Sequence, residues 1–144
     1  MDKTWILIAN SERARCLERH ASDHSLTELT DFVFPRASLT DVTGKGHGRT
    51  GHAGTQFEPR TEAQDKARNG FARELATYLN DAVAAKRCSS LVLIANSPML
   101  GEITPLLDIN ASKALTRCVA SDLTHFTGLE LKRSVDHALA LPSR

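Results

Sequence analysis

The chain has 144 residues, 41% of them hydrophobic and 24% charged. That length and balance fit one globular domain and exclude collagen-like, coiled-coil and extensively disordered chains. Eighteen Lys and Arg against 17 Asp and Glu leave a net charge of +1, so no bulk positive field advertises nucleic acid, and such a role needs a local patch.

The first ten residues carry one lysine, one acid and a short apolar stretch. They lack the charged region and long apolar core of an export signal. The longest apolar run, Leu91-Val92-Leu93-Ile94-Ala95, is far short of the roughly 20 residues that cross a bilayer. Three widely spaced cysteines, Cys16, Cys88 and Cys118, argue against a disulfide framework. A cytoplasmic protein with no membrane span is the expectation.

Residues 4–10 are β-branched and aliphatic and end at an Asn-Ser turn signal, predicting a strand. Residues 14–20 predict a second strand, weak in apolar content, whose polar face should look at solvent. Residues 26–34 alternate loosely and suit a third. Short connections join the three into an antiparallel meander. Pro35 stops the third strand, and a segment at about 36–60 follows that holds five of the eight glycines.

Residues 61–86 are the clearest helix. Thr61 and Gln64 have capping-box spacing, and Ala63, Ala67, Phe71, Leu75, Leu79, Ala82 and Val83 form one stripe. Gly70 inside it either permits close packing or is a tolerated flaw, the second being favoured. Residues 90–96 form an unbroken apolar run, as in a strand buried on both faces. Ser97-Pro98 offers an N-cap and a proline at N1 for a helix over 98–107, short or kinked because of Gly101 and Pro105. Residues 115–120 predict a short strand. Thr127 and Glu130, again at capping-box spacing, open a last helix carrying Leu131, Val135, Ala138 and Leu139. The fold class expected is α/β: one domain over 1–144, a single mixed β-sheet made of a β-β-β meander followed by α-β-α-β-α, flanked by helices. The weak second and third strands leave a homodimer, by edge pairing or helix packing, as an option.

Two groups of residues are candidates for function. Ile8-Ala9-Asn10-Ser11 and Ile94-Ala95-Asn96-Ser97 repeat the same four residues at the carboxyl ends of two apolar strands. If those strands are parallel neighbours, Asn10, Asn96 and Ser97 line a ligand crevice; otherwise Asn-Ser is ordinary turn and cap chemistry, the more common outcome. The second group is the glycine-rich segment 44–56. Its G-x-G-x-x-G at Gly46, Gly48 and Gly51 lacks the flanking strand and helix of a dinucleotide fingerprint. Lys45, His47, Arg49 and His52 on such a backbone suit contact with RNA phosphates, and a solvated loop is the alternative.

Metal binding is unsupported: His47 and His52, and His20 and His24, find no completing carboxylate or cysteine cluster. No cofactor is expected. The cysteines read as small core hydrophobes. Asp122 and His125 could form an acid/base pair, but Asp-Leu-Thr-His reads better as a strand-to-helix turn.

Several segments resemble the bacterial host attachment protein family. They are residues 5–10 with the following Ala14-Arg15-Cys16-Leu17-Glu18, then Ser97-Pro98-Met99-Leu100-Gly101-Glu102-Ile103, then Asp122-Leu123-Thr124-His125. The family's name records a role in attachment to host cells. Its fold is similar to the middle domain of archaeal and eukaryotic peptide release factors, whose long glycine loop carries Gly-Gly-Gln. Here His47-Gly48-Arg49-Thr50-Gly51-His52 resembles the approach to that motif, with His52 in the glutamine's place. Gln56 follows Gly54-Thr55 four residues later. The resemblance implies a non-catalytic binding protein that contacts RNA or the ribosome through Lys45, His47, Arg49 and His52. The alternatives are a peptidyl-tRNA hydrolase using Gln56 and an attachment adaptor without nucleic acid.

Overall fold

The computed structural model describes residues 3–34 and 57–140. The elements are β1 (Thr4–Ala9), β2 (Arg13–Arg19), β3 (Leu26–Val33), α1 (Phe57–Ala84), β4 (Ser90–Ala95), α2 (Ser97–Ile103), a 3-10 turn (Thr104–Leu106), α3 (Ile109–Ala114), β5 (Leu115–Ala120) and α4 (Gly128–Ala140).

One five-stranded mixed sheet runs β3-β2-β1-β4-β5. β1 pairs antiparallel with β2, Ile8 opposite Arg15, and parallel with β4, Ile8 beside Ile94. β2 and β3 are antiparallel, and β4 and β5 are parallel. The expected α/β class and meander-then-parallel order hold.

Strand periodicity divides the core in two. Trp5, Leu7 and Ala9 of β1 face a cluster with Phe71, Leu75 and Leu79 of α1 and Met99 and Ile103 of α2. Ile6 and Ile8 face the opposite layer, with Leu123 and with Leu131, Val135 and Ala138 of α4. Both sides of β1 and β4 are covered, which is why these strands read as unbroken apolar runs. Ala72, Ala76 and Ala82 of α1 are also buried; their small side chains let the helix lie close to the sheet.

Several boundaries differ from expectation. α1 begins at Phe57, so Thr61 lies one turn inside it and does not open it; Pro59 sits in the first turn, where no intrahelical donor is needed. The helix ends at Ala84. Lys86 then adopts φ 61, and the chain closes through Lys86 N to Val83 O (3.0 Å) and Arg87 N to Ala82 O (2.9 Å). An L-residue in this left-handed region costs about 1–2 kcal/mol. Gly70 would meet nothing within 4 Å if it carried a Cβ, so it is the tolerated flaw. α2 is capped by Asn96, one residue before the expected Ser97, and gives way at Thr104 to the 3-10 turn containing Pro105. α3 was unforeseen. Asp108 starts it by accepting from Ala111 N at 2.8 Å. Gly128, at the start of α4, has φ 55, a conformation glycine adopts without penalty.

Candidate functional site

The chain leaves β1 toward β2 on one side of the sheet and leaves β4 toward β5 on the other. The carboxyl ends of β1 and β4 therefore form a topological switch point, where open α/β sheets place ligands. Asn10 and Asn96 follow those ends directly, and Asn96 N donates to Ala9 O at 3.3 Å.

The polar atoms of Asn10 are engaged within the chain. Its Oδ1 accepts from Glu12 N at 2.7 Å and Arg13 N at 2.9 Å, setting the turn into β2. Its Nδ2 donates to Asp122 Oδ2 and Thr124 Oγ1, both at 3.0 Å. These contacts fill the capacity of an amide side chain. Asn96 Oδ1 accepts from Met99 N at 3.1 Å as the α2 cap, and Ser97 is the exposed first residue of that helix. Turn and cap chemistry thus accounts for the repeated tetrapeptide.

The segment after β5 crosses the switch point. Leu123 enters the core beside α4, while Asp122 Oδ1 accepts from Thr124 N at 3.0 Å and from Thr124 Oγ1 at 2.6 Å. Burial pushes the Asp122 carboxyl up. Hydrogen bonds from Thr124 and Asn10, with the nearby His125, outweigh this and hold it below the usual range. His125 is exposed. The carboxylate spends its oxygens on Thr124 and Asn10, which is the turn reading of Asp-Leu-Thr-His.

Beneath this turn lies Arg15, 7% exposed. The expectation that the polar face of β2 looks at solvent is wrong here, because the 122–126 segment covers the strand. Arg15 Nε and Nη2 form a fork on Glu28 at 3.1 and 2.9 Å. Nη1 donates to Thr124 O at 3.3 Å and to Phe126 O. Arg15 and a hydrogen bond to Asp31 draw the Glu28 carboxyl down to about 2. Asp31 is pushed up, first by its hydrogen bond to Glu28, then by burial and Glu28's charge. No sequence signal marks this burial, since the small neighbours Ala14 and Cys16 face the other, α1-covered side of the sheet.

Cys16 and Cys88 are buried. Burial pushes their thiols up to about 12 and about 11, so neither is a thiolate at neutral pH. Cys118 is exposed on the edge strand β5 rather than in the core. His20 Nε2 is hydrogen-bonded to Thr27 Oγ1 at 2.6 Å. Among the described residues no group of three or more His, Cys, Asp or Glu could hold a metal ion, and no helix is long and apolar enough to cross a membrane. Lys45, His47, Arg49, His52 and Gln56 lie outside the described residues.

A family model described as "Protein required for attachment to host cells" matches residues 5–135. The chain belongs to this family. The segments that carry the resemblance in sequence converge in the fold. The β1–β2 turn, the start of α2 and the Asp122–His125 turn meet at the carboxyl edge of the sheet, joined by Asn96 to Ala9, Ser121 to Ala95 and Asn10 to Asp122.

No curated protein matches the chain. Among solved structures, an archaeal translation termination factor, aRF1, has a similar fold, with a TM-score of 0.62 at 13% identity. The match covers 96% of this chain and 35% of that one. The chain spans about a third of the factor's length, and the likeness is one of fold.

Proposed function

We propose that this host attachment family protein is a non-catalytic binding protein that contacts RNA or the translation machinery through Lys45, His47, Arg49 and His52. The observation that carries the reading is a run of cations and glycines between β3 and α1, in a chain whose fold is similar to that of a translation termination factor. Cationic side chains interspersed with glycine favour close approach to phosphates without base specificity. Binding by this means weakens steeply with salt, because each phosphate neutralised releases counterions.

Gln56 carries no part of this reading. It follows Gly54-Thr55, and a β-branched threonine restricts backbone freedom that glycine would leave. A cytoplasmic location belongs to the proposal, as does a homodimer paired along β3. Of the two weak strands only β3 is an edge, and it exposes Leu29 and Val33.

Gradient co-sedimentation with ribosomes at low salt tests the reading. Wild type should travel with ribosomes, and Lys45→Ala/Arg49→Ala should remain at the top. No association of the wild type, or equal association of the double variant, overturns it.

A further inference from the structure

We propose that the cleft between the end of α1 and α3 binds the phosphate of a small phosphomonoester. The cleft is shallow and wide open to solvent, about 470 Å3, and its lining includes Val83, Lys86, Cys88, Ser89, Asn110 and Lys113, the four polar residues all exposed. It lies before the start of β4, at the opposite end of the strand from Asn96. The proposal stands apart from the reading of residues 44–56.

The lining holds two ammonium groups, an amide and a hydroxyl, and no carboxylate. Lysines beside helix ends ordinarily serve the free carbonyls of the last turn. Here several of those carbonyls have partners of their own. Asp81 O accepts from Ala85 N, Ala82 O from Arg87 N and Val83 O from Lys86 N. Ala111 O and Ser112 O share Leu115 N. Among the described residues neither Lys86 nor Lys113 has an ion-pair partner.

Lys86 also holds the left-handed conformation, φ 61, at a position where glycine would be the unstrained choice. Strain of this kind points to a side chain wanted at that place. Ser89 is tied to Lys3: its N donates to Lys3 O at 2.9 Å, and its Oγ accepts from Lys3 N at 3.1 Å and donates to Lys3 O at 3.3 Å, so Ser89 shapes the wall and the two ammonium groups and the Asn110 amide are the donors toward an anion. Asn110 and Lys113 lie one turn apart on α3, on one face. Two cations suit a phosphate near its dianionic state at pH 7 better than a monocarboxylate. Val83 and Cys88 supply an apolar wall for the organic part.

The test is an amide-resolved NMR titration of the full chain with inorganic phosphate, phenyl phosphate and sodium chloride at matched ionic strength. Both phosphates should give saturable shifts at residues 86–89 and 110–113, and phenyl phosphate should also move Val83. Lys86→Gly and Lys113→Gln should each weaken binding about tenfold, the loss of one charge-assisted contact. Lys86→Gly should at the same time raise Tm by about 3 °C, which separates lost binding from lost folding. Equal shifts with chloride would mean an adventitious ion only. That result, no saturable shift with either phosphate, or binding unchanged in both variants overturns the proposal. So does tighter binding at these residues by an RNA oligonucleotide without a terminal phosphate, which would assign the cleft to a nucleic-acid backbone.

Discussion

Replacing Arg15 by alanine should cost about 3 kcal/mol, most of it at the 122–126 segment. The guanidinium makes two kinds of contact. Its fork on Glu28 is half open to water, since that side chain is 40% exposed, so this part is worth about 1 kcal/mol. The bonds to Thr124 O and Phe126 O are charge-assisted and cannot be replaced freely by solvent beneath the turn. Such bonds contribute about 1.5–3 kcal/mol each, and the length of the first, 3.3 Å, puts the pair near 2. With a urea slope of about 2 kcal/mol/M the unfolding midpoint should fall by about 1.5 M. Arg15→Lys should lose roughly half as much, because an ammonium keeps the charge but cannot fork. Hydrogen exchange at residues 123–126 should accelerate in Arg15→Ala by more than the global loss requires. A midpoint shift below about 0.5 M, or exchange that follows global unfolding alone, would refute the idea that Arg15 pins this turn.

Five further outcomes are expected. Gly70→Ala should stabilise the chain by about 1 kcal/mol in urea unfolding, since α1 has room for the methyl group. Gly128→Ala should cost about 1–2 kcal/mol in the same assay through its φ of 55 alone, as no atom lies within 4 Å. Asp31 has a folded pKa above its ordinary value, so its contribution is present at low pH and lost as pH rises through that value. Urea midpoints should accordingly show Asp31→Asn more stable than wild type by about 0.5 kcal/mol at pH 7, with the gain vanishing in acid. Glu28 shows the reverse sign: its stabilisation is present above its ordinary carboxylate range and lost as pH falls toward about 2, so Glu28→Gln should flatten the acid limb of the stability curve. Finally, the purified protein should release no peptide from ribosomes carrying peptidyl-tRNA; release that Gln56→Ala abolishes would replace the binding reading with a hydrolytic one.

Patterning made the strands and their order readable. The unbroken apolar run at 90–96 predicts a strand covered on both faces, and the sheet has helices on both. The alternation of short connections and long crossings separated the antiparallel half from the parallel one. Helix ends were less legible: Asn96 and Ser97 are equally good caps by residue type, and only the path of the backbone out of β4 selected Asn96.

Local sequence determined which residues form elements and which face each apolar side chain takes, because periods of 2 and 3.6 are properties of the backbone itself. Tertiary structure alone decided that Arg15 is buried, that Asn10 bonds to Thr124 across 114 positions, and that the Asp-Leu-Thr-His turn closes the switch point. A polar side chain on a strand has the same pattern whether water or another segment covers it, and the difference lies in where a distant loop runs.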